Sequence, residues 1–105
     1  MRVEFLYWEG CPSHPEALER LRQALREEGI PASIEVAHVA SEAEARARAF
    51  PGSPTIRIEG RDIQPETAGR PALTCRLYIL EDGRPSPLPS VEMIRRAIRA
   101  AAGVS

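Results

Sequence analysis

The chain has 105 residues, a formal net charge of −1 and 28% charged residues. This length fits one domain with a single core and is too short for two. The balanced charge gives no electrostatic basis for binding nucleic acid or an anionic membrane. No apolar run could span a bilayer, and the N-terminus lacks a signal-peptide pattern. We therefore expect one cytoplasmic domain over residues 1–105, with neither nucleic acid nor membrane as a partner.

Hydrophobic periodicity predicts seven elements in the order β-α-β-α-β-β-α. The expected strands cover residues 2–8, 32–39, 55–60 and 75–80, and the expected helices cover 15–28, 41–49 and 90–101. A serine precedes each helix. Ser13 and Ser41 are each followed three residues later by a glutamate, the pattern of a capping box, and Ser90 is expected to cap the last helix.

The connections between these elements predict the fold class. A helix joins the first two strands, so a right-handed crossover makes them parallel neighbours. The last two strands are expected to form an antiparallel hairpin across a long polar connection, residues 60–74. This order predicts an α/β fold, a four-stranded mixed sheet flanked by helices on both faces.

Cys11 lies where the first strand, after Gly10, passes into the first helix. Backbone N–H groups and the positive end of a helix dipole favour the thiolate at such a position. Because the thiolate is the reactive form of cysteine, we predict that Cys11 is a nucleophile. The alternative is an inert buried cysteine, which is common in protein cores.

Two short motifs carry a resemblance to a known family. They are Trp8-x-x-Cys11-Pro12-x-His14 and Ser53-Pro54 before the third strand, and the rhythm of residues 55–63 is similar to the corresponding strand and turn of glutaredoxins. With the element order, the chain resembles the thioredoxin-like fold family. It is most similar to small bacterial thioredoxin-like proteins, some of which are labelled mercury-lyase-like.

The resemblance implies roles for these residues. Cys11 corresponds to the attacking cysteine of the family's C-x-x-C motif, and Pro54 to the cis-proline that faces it. The backbone of Ser53 corresponds to the edge that pairs with an extended substrate. We place Trp8 and Pro12 with Ser53 and Pro54 in the expected substrate-binding set.

His14 stands where the second cysteine of C-x-x-C would be. Without a resolving thiol there, a mixed disulfide at Cys11 cannot be released by the usual internal attack. This favours a monothiol mechanism in which glutathione or another small thiol releases the product. His14 is expected to assist as an imidazolium or proton shuttle, or else to be an exposed histidine with no role.

Cys75 is the second thiol. If the fourth strand pairs antiparallel with the third, Cys75 begins at the opposite pole, a strand length of ~20 Å away from Cys11. A disulfide needs Cα atoms within about 7 Å, so only a folded-back 60–74 loop could join the two cysteines. Packing as a small hydrophobe is favoured for Cys75. A zinc site built from Cys11, His14, His38 and Cys75 is a weaker alternative.

These observations predict a monothiol thiol-disulfide oxidoreductase that acts through Cys11 and has no resident cofactor or metal. Its partners would be a disulfide-containing protein or a small thiol, and it would be a monomer or weak dimer. One alternative is a redox-inert binding module that retains the docking edge beside Pro54. The other is a protein that handles metal or mercury thiolates.

Overall fold

The computed structural model describes residues 1–103. The elements follow the chain in this order: β1 (Val3–Tyr7), α1 (His14–Glu27), β2 (Ile34–His38), α2 (Glu42–Ala47), β3 (Thr55–Ile58), β4 (Arg61–Asp62), a 3-10 turn (Pro65–Thr67), β5 (Tyr78–Ile79), β6 (Pro85–Ser86) and α3 (Val91–Ala101).

The main sheet has the strand order β2-β1-β3-β4. Strand β1 is parallel to β2, with Val3 opposite Ile34, and antiparallel to β3, with Leu6 opposite Thr55. Strand β4 is antiparallel to β3. The chain is therefore an α/β protein with a four-stranded mixed sheet and helices, which confirms the prediction at this level.

The alternation of side chains along β1 divides the core into two clusters. Val3 and Phe5 face one side of the sheet, where they pack with residues of β3, α1 and α3 such as Ile56, Leu21 and Ile98. Leu6 faces the other side and packs against Val39, Ala45 and Phe50, which brings α2 onto that face. Because both faces of β1 are covered, its run of apolar residues is explained.

The three helices begin near the predicted residues but differ in their caps. The Ser41 hydroxyl accepts from the Glu44 amide, and Ser90 caps α3 in the same way through Met93. Ser13 makes no capping bond, so the predicted capping box at α1 is wrong. Within residues 1–103, no helix has both the length and the apolar composition needed to cross a bilayer.

The predicted fourth strand, residues 75–80, is wrong in position and pairing. The neighbour of β3 in the sheet is the two-residue strand β4, which follows immediately through a turn at Glu59 and Gly60. The segment around Cys75 lies elsewhere, and its strand β5 pairs only with β6 in a separate two-stranded sheet. The β3–β4 hairpin ends at Asp62, and the connection that follows it returns across the molecule.

The core predicts a measurable contrast between two leucines. Leu21 is fully buried between α1 and the sheet, whereas Leu77 is 56% exposed. We expect Leu21→Ala to lower the free energy of unfolding by about 2–5 kcal/mol, since it removes buried methyl groups and leaves a cavity. The matched change Leu77→Ala should alter it by less than about 0.5 kcal/mol. Urea denaturation of both variants checks this, and equal losses would contradict the described packing.

Candidate active site

Cys11 lies in a tight connection between β1 and α1. Its backbone N–H donates to the Trp8 carbonyl oxygen at 3.1 Å, which closes a turn through Glu9 and Gly10. The Trp8 ring covers that turn so closely that a Cβ at Gly10 would lie 2.3 Å from a ring carbon. Only glycine fits there without moving the tryptophan. The turn directs Cys11 inward, and its exposure is 1%.

Two serines contact the Cys11 thiol. Its Sγ lies 3.1 Å from Ser13 Oγ, and in its thiol form it donates to the Ser53 carbonyl oxygen at 3.3 Å. Ser13 has helical backbone angles, φ −85° and ψ −10°, whereas a capping serine is typically extended. The Ser13 hydroxyl is therefore directed at the thiol and not at the amides of α1.

These contacts shift the pKa of the Cys11 thiol. Burial raises the pKa of the thiol, but hydrogen bonds from the Ser13 hydroxyl and backbone N–H, together with contact with the Cys75 side chain, outweigh burial. The pKa of Cys11 therefore lies below its ordinary value. Hydrogen bonds to the charged form are the general cause of such a shift. The hydrogen bonds at this site stabilise the charged form of the Cys11 thiol, and Ser13 is the principal donor.

The loop before β3 forms the opposite wall of the site. Residues 50–54 are buried, and the peptide bond between Ser53 and Pro54 is cis. The Ser53 hydroxyl accepts from the Trp8 backbone N–H at 3.0 Å, which joins this loop to the end of β1. The sequence-predicted residues Trp8, Cys11, Ser53 and Pro54 are thus brought together.

The backbone edge of Ser53 is already occupied by the protein itself. The Ser53 N–H donates to the Thr74 carbonyl oxygen, and the Arg76 N–H donates to the Ser53 carbonyl oxygen, both at 2.8 Å. Ser53 and Cys75 are therefore partners in an isolated parallel bridge. The prediction that this edge is open to a substrate strand is wrong, because residues 74–76 lie where that strand would pair.

This pairing brings Cys75 to Cys11. Contact with the Cys11 side chain, and to a smaller extent burial, raises the pKa of Cys75, while the same contact lowers the pKa of Cys11. Both cysteines are free thiols, Cys11 buried and Cys75 exposed. The expectation that Cys75 lies at the opposite pole is wrong, because the connection after β4 folds back over the site.

A buried arginine holds the returning segment in place. Arg76, whose side chain is 1% exposed, makes a bidentate pair with Asp62 at 2.5 and 2.7 Å and donates to the Gln64 carbonyl oxygen at 2.8 Å. Its guanidinium lies 4.4 Å from the centre of the Tyr78 ring, and the Tyr78 hydroxyl donates to the Pro54 carbonyl oxygen at 2.6 Å. Burial raises the pKa of Tyr78, so that hydroxyl stays protonated.

Sequence reasoning missed these supporting residues. The alternation along residues 75–79 indicates the opposite orientation, since it would bury the apolar Cys75, Leu77 and Ile79, whereas the structure exposes those three and buries Arg76 and Tyr78. An arginine at an inward position is unusual without a partner, and its partner Asp62 is distant in sequence. That partner could have been sought among the acidic residues of the preceding hairpin.

The contacts of His14 and Pro12 do not support the roles predicted for them. The His14 ring stacks on Tyr7 at 4.5 Å between ring centres, and His38 stacks on Tyr7 at 5.1 Å. The hydrogen-bond partners of the Cys11 thiol are Ser13 and Ser53, not His14. Pro12 is exposed beside the site.

The zinc alternative required Cys11, His14, His38 and Cys75 to converge. Over residues 1–103, no group of three or more histidine, cysteine or acidic side chains is placed to hold a metal ion. The two histidines stack on Tyr7, so the alternative has no geometric support.

Comparison with known proteins gives no family assignment. No protein-family model, curated protein or solved structure matches the chain.

The buried ion pair between Arg76 and Asp62 predicts that removing one of the two charges strongly lowers the stability of the fold. Arg76→Met should lower the free energy of unfolding by about 3–5 kcal/mol, because it leaves the Asp62 carboxylate poorly solvated and unpaired. Combining it with Asp62→Asn should restore part of the loss. The control Arg84→Met breaks an exposed pair with Asp82 and should cost no more than about 1 kcal/mol. Denaturant titrations of the three variants measure this, and equal losses for Arg76→Met and Arg84→Met would contradict it.

Proposed function

We propose that this protein is a thiol-disulfide oxidoreductase with a thioredoxin-like fold and that Cys11 is its thiolate. The observation that carries the proposal is that Ser53 joins two thiols, since its carbonyl oxygen accepts from Cys11 and its backbone is bridged to Cys75, and that the pKa of Cys11 is lowered. A thiolate beside a thiol is the arrangement from which a disulfide forms and is reduced. A cysteine whose only task is packing requires neither feature.

The arrangement around Cys11 supports the fold part of the proposal. The first strand, a crossover helix and a parallel second strand are followed by an antiparallel strand, and Cys11 lies where the first strand leads into that helix. The cis peptide bond between Ser53 and Pro54 faces the same point. These features agree with the resemblance to thioredoxin-like proteins that the sequence motifs suggested.

The position of Cys75 changes the proposed mechanism. The monothiol scheme depended on the lack of a second thiol near Cys11, and that reason no longer holds. We therefore infer a dithiol cycle, in which the two thiols deliver two electrons to a disulfide and become a disulfide themselves. A low-molecular-weight thiol such as glutathione would return the two electrons as a co-substrate.

The alternative of a redox-inert binding module loses its main support. It depended on the missing resolving cysteine and on an open docking edge beside Pro54, but Cys75 is the bridge partner of Ser53, and the backbone groups of Ser53 are hydrogen-bonded to Thr74 and Arg76. A peptide ligand would have to displace a segment that a buried ion pair holds. The site is better suited to sulfur chemistry than to peptide binding.

The charge of Cys11 can be measured without a reagent having to reach it. In a Cys75→Ser variant, the ultraviolet absorbance of the thiolate should appear at a pH below the usual thiol value of about 8.5, because Ser13 stabilises the anion. The serine hydroxyl at position 75 preserves a hydrogen-bond donor. Adding Ser13→Ala should move the midpoint to higher pH, since it removes the donor contact at 3.1 Å. An ordinary midpoint that Ser13→Ala leaves unchanged would contradict the thiolate assignment.

Turnover tests the oxidoreductase proposal directly. We expect the wild-type chain to accelerate the reduction of a small mixed disulfide by glutathione and Cys11→Ser to be clearly slower, because the thiolate that completes the dithiol cycle is lost. The His14→Ala variant is a useful comparison, since the stacked histidine makes no hydrogen bond to the thiol, and we expect it to retain most of the activity. A Cys11→Ser variant as fast as the wild type would overturn the proposal.

A further inference from the structure

The two thiols differ sharply in access to solvent. Cys11 is 1% exposed, enclosed by the turn that Trp8 covers and by the loop containing Ser53. Cys75 is exposed. Exchange requires a sulfur to approach along the axis of the disulfide that it attacks, so the sulfur in contact with solvent has the advantage. For a disulfide arriving from solution, that sulfur belongs to Cys75.

The exposure of Cys75 follows from the geometry of its segment. Burial alternates along residues 75–79, as it does where successive side chains of an extended segment point to opposite sides. Arg76 and Tyr78 point inward, so Cys75 and Leu77 point outward. Turning Cys75 away from solvent would require the Arg76 guanidinium to leave Asp62.

The segment is also fixed, so it does not behave as a lid that opens over Cys11. Both backbone bonds to Ser53, the bidentate pair of Arg76 with Asp62 and the bond from Tyr78 to Pro54 would have to break together. Breaking such a buried pair alone is strongly unfavourable, because it leaves a poorly solvated charge without its partner. Direct access to Cys11 is therefore much rarer than contact with Cys75.

We propose that Cys75 is the thiol that first reacts with the substrate disulfide and that the buried Cys11 is the resolving thiol. This inference rests on the proposed function and reverses the order of attack that a nucleophilic Cys11 would suggest. It also names the substrate class. The substrate is a disulfide that can reach an exposed sulfur without pairing with the Ser53 edge, such as the disulfide of a small thiol.

The steps balance as follows. Cys75 attacks a substrate RSSR′ while its proton passes to the Cys11 thiolate; a bond from Cys75 to RS forms and R′S⁻ leaves. The leaving thiolate takes the proton from Cys11 and departs as R′SH. Cys11 then attacks the Cys75 sulfur, the Cys11–Cys75 disulfide forms, and RS⁻ leaves. The protein dithiol has lost two electrons and the substrate disulfide has gained them. Two molecules of a small thiol reverse the change.

The surroundings of Cys11 suit the second step. The Ser13 hydroxyl, 3.1 Å from the Cys11 sulfur, stabilises its charged form, while the neighbouring Cys11 raises the pKa of Cys75. The attack on Cys75 occurs within the protein and needs no diffusion, so a buried sulfur can perform it. Burial also prevents a second external disulfide from reacting with Cys11 before the Cys11–Cys75 disulfide forms.

Single-cysteine variants test the order of attack. Reduced wild-type protein, Cys11→Ser and Cys75→Ser are each mixed with glutathione disulfide, quenched with acid at intervals and analysed by intact mass and peptide mapping. We expect Cys11→Ser to accumulate a stable glutathione adduct on Cys75. The Cys75→Ser variant should form its adduct at least tenfold more slowly. Wild-type protein should show the Cys75 adduct only transiently and end as the Cys11–Cys75 disulfide.

Each other outcome has a defined meaning. Faster labelling of Cys75→Ser than of Cys11→Ser would place the first attack at Cys11 and overturn the inference alone. A wild-type protein that keeps its Cys75 adduct without closing the disulfide would exclude Cys11 as the resolving thiol. If the wild type forms neither adduct nor disulfide, the proposed function itself fails. Cys11→Ala serves beside Cys11→Ser, and thermal unfolding checks that each variant is folded.

Discussion

The backbone of Ser53 is hydrogen-bonded to Thr74 on one side and to Arg76 on the other, and the relation between the two cysteines depends on that pairing. The Ser53 carbonyl oxygen accepts from both the Arg76 amide and the Cys11 thiol. One peptide group thus positions both sulfurs. If residues 74–76 paired elsewhere, Cys11 would be an isolated thiol beside a cis-proline, as the sequence suggested.

A buried charge holds that pairing in a single register. Burying the Arg76 guanidinium costs free energy that its bond to Asp62 only partly offsets, and its Nε has no hydrogen-bond partner among residues 1–103. An apolar side chain at this position could stabilise the protein as well or better. The ion pair instead selects one arrangement, because a shift of one residue would place Cys75 inside and Arg76 in solvent. We regard this as the physical reason for an arginine next to the cysteine.

The elements around Cys11 were predictable because their signals are local. The apolar run of β1, the helical spacing of α1 and the position of Cys11 between them can all be read within a short window of sequence. Even there, the partner of Ser13 was predicted wrongly, since a serine before a helix can bond either an amide or a neighbouring thiol. The choice depends on its backbone angles, which sequence spacing does not determine.

The position of Cys75 was not predictable in the same way, because residues 75–80 have the composition of a strand and the sheet offered an apparent edge for it. The real neighbour of β3 is β4, only two residues long and polar, which periodicity does not detect. The position of Cys75 depends on a long-range ion pair between Asp62 and Arg76. In the sequence both residues look like ordinary surface charges.

Joining thiols that are distant in sequence has a consequence that a C-x-x-C pair lacks. A disulfide between Cys11 and Cys75 would close a loop of roughly 65 residues, which in the chain-entropy account stabilises a folded protein by about 4 kcal/mol. By linkage, the fold favours the disulfide to the same extent that the disulfide favours the fold. In the proposed cycle, the resolving step is therefore favoured by the same contacts, those of Ser53, Asp62 and Arg76, that bring the thiols together. The stability of the returning segment and the redox balance of the cysteines would then be thermodynamically linked.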